Sequence, residues 1–206
     1  MQRLFTILCA LMLLSNMTSA FSQGSNGLQH RLKGTYHLTG TESCAEAPGG
    51  FDTTSPQLPA NGFNLALLFH IQGSIAFDGI ETAMATGTLM TVLPSTPAFF
   101  FPSPASTSNF SCEWTYLVGS DNSFTMQSNC TVNVVTGEIA GVTDVITGIE
   151  MTGFIGPGGN VLIVSSTEPD ARTLTRSNGY TAQRLCGATY TFVRANKPFD
   201  DDGVDD

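Results

Sequence analysis

The chain has 206 residues and a formal net charge of −9, with 8 Lys and Arg against 17 Asp and Glu. So few cations exclude the basic patch that a nucleic-acid partner requires. Low overall charge with abundant Gly, Ser and Thr suits a β protein better than a helical one, and the length is ample for one domain with its own core.

Residues 1–20 read as a cleaved signal peptide. Arg3 supplies the charged start, Leu4 to Leu14 the apolar run, and Thr18-Ser19-Ala20 the small-residue cleavage site. The run is too short to span a bilayer, so no transmembrane segment is expected. Its loss removes Arg3 and no acid, which moves the net charge from −9 to −10. It also removes Cys9 and leaves Cys44, Cys112, Cys130 and Cys186, an even set suited to a secreted or periplasmic chain. Residues 21–33 form a flexible lead-in, 34–194 the β domain, and 195–206 an acidic, disordered tail.

Gly34 to Gly40 is the first predicted strand, with Tyr36 and Leu38 on one face and His37 on the other. Thr41 to Phe63, rich in Pro, Gly, Ser and Thr, reads as a loop that carries Cys44. Asn64 to Gln72 follows as an apolar strand with Leu65, Leu67, Phe69 and Ile71 on one face. Gly73 to Val92 reads as strand, turn, strand, with Asp78-Gly79 at the turn. Leu93 to Asn109 holds Pro94, Pro97, Pro102 and Pro104, which forbid a regular ladder. It also holds Phe99, Phe100 and Phe101, rings that either cap an open end of the fold or meet a ligand or partner.

Phe110 to Val135 is the most legible stretch. Cys112, Trp114, Tyr116 and Val118 alternate with polar residues, as do Phe124, Met126, Ser128, Cys130, Val132 and Val134. A three-residue loop centred on Asp121 pairs Val118 with Phe124, Tyr116 with Met126 and Trp114 with Ser128. The same register sets Cys112 opposite Cys130, so a disulfide is expected there and another between Cys44 and Cys186. Chain-entropy arguments give roughly 3 kcal/mol for the short bridge and over about 4 for the long one.

Gly137 to Val145 reads as a loop, and Ile146 to Ile155 as a strand whose glycines mark bends or bulges. A turn at Gly156 to Asn160 leads to a short strand, Val161 to Ser166. Ser165 to Ala182 carries Glu168-Pro169-Asp170 and ends in polar loop. Gln183 to Arg194 is the last strand, with Cys186, Ala188, Tyr190 and Phe192 facing one way. About eight short strands without a crossover helix predict an all-β fold, an antiparallel meander closed as a small barrel.

Two segments carry a resemblance. GSIAFDGIETAMATGTLMTV (73–92) is similar to a repeat of small secreted bacterial proteins, and VSSTEPDARTLTRSNGYTAQRLCGATYTFVR (164–194) to their C-terminal segment. Gly34-Thr35-Tyr36 resembles the lipocalin G-x-W, with Tyr in place of Trp. The resemblance implies a calycin-type barrel, lipocalin-like or allene oxide cyclase-like, and an export route. It implies no reaction.

Chemical signatures are sparse. Once the signal is removed, His30, His37 and His70 are all the histidines a Ser-His-Asp triad could draw on. His37 is read as solvent-facing and His70 as a half-buried structural residue. Glu113 projects from the wet face of its hairpin, and Glu150 lacks an identifiable partner. Glu168 and Asp170 near Arg172 read as a loop salt-bridge cluster. Asp200-Asp201-Asp202-Gly203 resembles the start of an EF-hand loop but has no downstream glutamate, and the cysteines lack zinc-site spacing. No catalytic residue, cofactor or metal is assigned. The candidate ligand-binding residues are Trp114, Tyr116 and Met126 on the apolar face, with Phe99, Phe100 and Phe101. The expected role is non-enzymatic, the binding of a small hydrophobic molecule or a part in the cell envelope. The alternative is an isomerase or cyclase on the same barrel.

Overall fold

The computed structural model describes residues 28–51, 65–93, 105–167 and 170–195. The predicted signal peptide, the Phe99–Phe101 segment, Glu168 and residues 196–206 of the acidic tail lie outside these residues. Nine strands form one antiparallel sheet: β1 (Lys33–Ala47), β2 (Leu65–Asp78), β3 (Thr82–Val92), β4 (Ala105–Val118), β5 (Ser123–Val134), β6 (Thr143–Ile155), β7 (Val161–Ser166), β8 (Asp170–Arg176) and β9 (Thr181–Arg194). Each strand from β1 to β6 pairs with its successor, β7 pairs with β9, and β1 also pairs with β9, so the sheet closes. Strands β7 and β8 both lie between β6 and β9 and run end to end as one interrupted stave. The result is an eight-stranded barrel, and closure leaves no long open edge.

The β4–β5 hairpin has the register the sequence predicts. Val118 faces Phe124, Tyr116 faces Met126, Trp114 faces Ser128 and Cys112 faces Cys130. Its turn is built by Asp121, whose Oδ1 accepts from the Ser123 amide at 3.1 Å and from the Ser123 hydroxyl at 2.6 Å. Asn122 takes the left-handed conformation, with φ 68°, a role for which Asn is suited. Both expected disulfides are present, Cys112–Cys130 and Cys44–Cys186, each with Cα atoms 4.1 Å apart across neighbouring strands. Such bridges place the chain in an oxidising environment.

Several boundaries differ from expectation. β1 runs to Ala47, so Cys44 sits in a strand and not in a loop. The predicted strands either side of Gln72 are one continuous strand, β2. β4 begins at Ala105, directly beyond the prolines, and β6 begins at Thr143. β8 falls where a polar loop was expected. A bulge at Gly148, φ 80°, shifts the β6 register and reverses its face parity. Asp144 and Ile146 point inward before it, and Ile149 and Met151 after it, which leaves Glu150 outside.

One end of the barrel is solid. The β2–β3 turn there is fixed by Asp78, whose Oδ1 accepts from the amides of Ile80, Glu81 and Thr82. Burial pushes this carboxyl up, but those amides and the Thr82 hydroxyl together hold it well below the usual carboxylate range. Tyr36, Phe77 and Tyr116 stack edge to face, with centroids 5.6 and 5.1 Å apart. Leu32, fully buried just before β1, joins this plug, and its carbonyl accepts from the Tyr116 hydroxyl at 3.1 Å.

Candidate functional site: a two-sided lumen open at one end

The other half of the barrel is hollow. Its cavity has a volume of about 370 Å³, within the range of small-ligand sites. Because successive side chains alternate faces, every second residue of the strand segments around it points inward. Strands β2 to β5 supply an apolar wall that includes Leu67, Phe69, Ile71, Leu89, Phe110 and Val132. Cys112–Cys130 and Trp114 belong to the same lining, deeper in.

The opposite wall, from β1, β6, β8 and β9, is charged. The parity that turns Tyr36 and Leu38 inward carries on along β1 to Glu42, Cys44 and Glu46, all buried. On β8 it turns Asp170, Arg172 and Leu174 inward, and on β9 Arg184, Cys186, Ala188, Tyr190 and Phe192. Buried charges persist only when paired and hydrogen-bonded, and these are. Arg172 donates from Nη1 to Glu42 Oε1 at 2.7 Å and from Nε to Asp170 Oδ2 at 2.9 Å. The Tyr190 hydroxyl donates to Glu42 Oε2 at 2.6 Å. Nearer the mouth, Arg184 Nε donates to Glu46 Oε2 at 2.7 Å and Tyr180 donates to Glu46 Oε1 at 2.8 Å. Arg176 grips both oxygens of Asp144, at 2.8 and 3.1 Å.

Each shifted ionisation has a local cause. Burial pushes the Asp170 carboxyl up, against the pull of Arg172. Burial opposes the charge of Arg172, but Glu42 and Asp170 hold it above the ordinary guanidinium range. Burial, then the charge and hydrogen bond of Glu42, push the Tyr190 phenol well up, so it stays a donor. Tyr180 is raised by burial and by Glu46 in the same way. Space for the Tyr190 ring comes from Gly40 across the β1–β9 pair, where an added Cβ would stand 2.3 Å from Tyr190 Cδ1.

Of the sequence-predicted ligand residues, Trp114 lines the cavity. Tyr116 and Met126 share its inward face but pack in the solid end. Phe99, Phe100 and Phe101 lie outside the described residues, although Leu93 and Ala105, between which they run in sequence, both line the cavity. Asp170 and Arg172 form a buried lumen cluster and not a surface loop pair, because β8 is a strand with that face inward. His70 is exposed, not half-buried: it points away from the lumen beside Gln72, 2.9 Å from the amide. His30 and His37 are exposed as well, so no described histidine reaches the cavity. Glu113 and Glu150 point outward, Glu150 accepting from Gln127 at 3.1 Å. Glu42 approaches Cys44 and Cys186, but those sulfurs are bonded to each other and offer no thiolate to a metal.

Sequence reasoning missed Glu42, Glu46, Asp144, Arg176 and Arg184. The signal was there as parity: two steps on from Leu38 reach Glu42 by way of Gly40, and one step back from Cys186 reaches Arg184. The chain matches no family model, no curated protein and no solved structure. No helix among the described residues is long and apolar enough to cross a membrane.

Proposed function

We propose that the chain is an exported carrier that holds one small, mainly apolar molecule in the lumen of a calycin-type barrel. The observation that carries this reading is the shape of the interior, solid at one end and hollow at the other. A core built only for stability would be filled throughout, because packing density and not shape sets its energy. Here the apolar wall from β2 to β5 borders about 370 Å³ of open space. Two disulfides support the export route read from residues 1–20.

The cyclase alternative calls for an acid or base free to exchange a proton with a bound molecule. Glu42, Glu46 and Asp144 each have both oxygens engaged by Arg or Tyr donors. Asp170 keeps one oxygen without a partner but does not line the cavity, so the commitment of the three lining carboxylates favours holding over converting. The test is a titration of the mature chain with N-phenyl-1-naphthylamine, a neutral apolar fluorophore. Saturable one-to-one binding with quenching of Trp114, the single tryptophan, is expected. No saturation by fluorescence and no heat by calorimetry would sink the carrier reading.

A further inference from the structure

The two walls of the lumen differ in what they leave unsatisfied, and that difference narrows the class of ligand. On the charged wall the acceptors that line the cavity are spent; the unpartnered Oδ1 of Asp170 belongs to a residue outside that lining. Each oxygen of Glu42, Glu46 and Asp144 already receives a donor, and the Tyr180 and Tyr190 hydroxyls donate inward to the same carboxylates. The donors are not all spent. Arg176 uses Nε and Nη2 on Asp144, and Arg184 uses Nε and Nη2 on Glu46. The Nη1 group of each, on a residue lining the cavity, has no acceptor among the described residues. A guanidinium N–H that lines the cavity and has no acceptor from the protein is a donor open to an oxygen of a bound molecule.

Charge decides what kind of oxygen. The cluster sets Glu42, Glu46, Asp144 and Asp170 against Arg172, Arg184 and the partly buried Arg176, four carboxyl groups to three guanidinium groups. An anionic head could reach the same Nη1 groups, but it would add a negative charge to a cluster where carboxyl groups already outnumber guanidinium groups, and that buried charge would have no cation of its own. A cationic head would find its natural partners already capped by Arg and Tyr, and would bring its own N–H groups to a wall short of acceptors. A neutral oxygen meets neither penalty.

Resting on the carrier reading above, we propose that the ligand is a neutral molecule with an apolar body and one carbonyl or hydroxyl oxygen. The oxygen accepts from Nη1 of Arg176 or Arg184, and the body lies along the wall of Leu67, Phe69, Leu89 and Val132. Carboxylates and ammonium ions of the same chain length are discriminated against.

The experiment displaces N-phenyl-1-naphthylamine from the unaltered mature chain with 2-decanone, decan-1-ol, decanoate and decylammonium at pH 7, each kept monomeric. The two neutral oxygenated chains are expected to bind at least about tenfold tighter than either ion, the scale of one buried charge-assisted hydrogen bond. A second arm uses Arg184→Lys together with Arg176→Lys. These keep the pairs with Glu46 and Asp144 but remove the idle Nη1 groups, and the ratio of 2-decanone affinity to fluorophore affinity is expected to fall about fivefold or more. Decanoate or decylammonium binding as tightly as the ketone would overturn the proposal and leave the carrier reading standing. A fluorophore that does not bind at all would overturn both. An unchanged ratio in the double Lys variant would remove the Arg contact and with it the inference.

Discussion

Arg172 is the residue on which the lumen's charge balance turns. It is 4 % exposed and faces two carboxyl groups, Glu42 and Asp170. Truncating it leaves both without their cation in a low-dielectric site, the situation in which a broken buried pair costs roughly 3–5 kcal/mol. Arg172→Ala is therefore expected to lower the unfolding free energy by that much at neutral pH, read as a lower urea midpoint with m unchanged. The pH dependence has a definite sign. Asp170 has a folded-state pKa raised above its ordinary 3.8, so the folded state binds this proton more tightly than the unfolded chain. Its contribution is present below that ordinary value and is lost as pH rises through the folded value. Without Arg172 the folded value climbs further, so the variant's deficit is expected to shrink as pH is lowered towards 4. A deficit independent of pH between 4 and 7 would show that Arg172 acts through packing alone.

Gly40 matters for a different reason. An added Cβ would stand 2.3 Å from Tyr190 Cδ1 and 2.6 Å from the Thr189 carbonyl oxygen. The ring has little freedom to retreat, since its hydroxyl is held by Glu42 at 2.6 Å. Gly40→Ala is expected to lose about 1–3 kcal/mol by overpacking, measured by the same denaturation. Loss of near-ultraviolet circular dichroism from Tyr190 would accompany it.

At the scale of strands, the two disulfides span very different lengths of chain. Cys112–Cys130 closes a separation of 18 residues and Cys44–Cys186 one of 142. On the chain-entropy model the first is worth about 3 kcal/mol and the second about 5. The second also pins β1 to β9, the pair that closes the barrel, whereas the first lies within a hairpin already tied by its turn. Replacing Cys44 and Cys186 with Ala is expected to cost more than replacing Cys112 and Cys130, read as the difference in urea midpoints. The reverse order would mean that the β4–β5 hairpin, and not the seam, limits stability.

That hairpin was also the most legible element, and the reason explains what was not. Strict apolar alternation, an Asp-Asn turn and facing cysteines all point to one register, and the fold has it. β8 and the second half of β1 were hidden because their inward positions are Asp170, Arg172, Glu42 and Glu46. A reader who equates inward with apolar sees loop in such a stretch. Cys44 lies in this second half of β1, and its bond to Cys186 is the one the sequence predicts. The polar wall of the cavity and the elements misread from sequence are thus the same residues. The fold class was readable from the apolar half of the barrel, and the site was not, because it is where the pattern is broken.

For the molecule as a whole, a buried charged wall is a poor way to gain stability. Replacing a buried ion cluster by apolar side chains of similar volume is often neutral, or stabilising by about 1–4 kcal/mol. The combined variant Glu42→Leu, Asp170→Leu, Arg172→Met and Tyr190→Phe removes every member of the deeper cluster together, so no partner is left unpaired. It is expected to be at least as stable as the natural chain, in contrast to Arg172→Ala alone. If the charged wall serves ligand choice, this variant should still take up N-phenyl-1-naphthylamine, because the apolar wall of Leu67, Phe69 and Val132 is untouched. Its preference for 2-decanone over a plain hydrocarbon of equal length should weaken without vanishing, since Arg176 and Arg184 nearer the mouth remain. A ligand present at a hundred times its Kd should raise the unfolding free energy by about 2.7 kcal/mol in both proteins, which gives a thermal-shift readout independent of fluorescence. A combined variant markedly less stable than the natural chain would instead assign the cluster a structural task, that of holding β8 in register between β6 and β9.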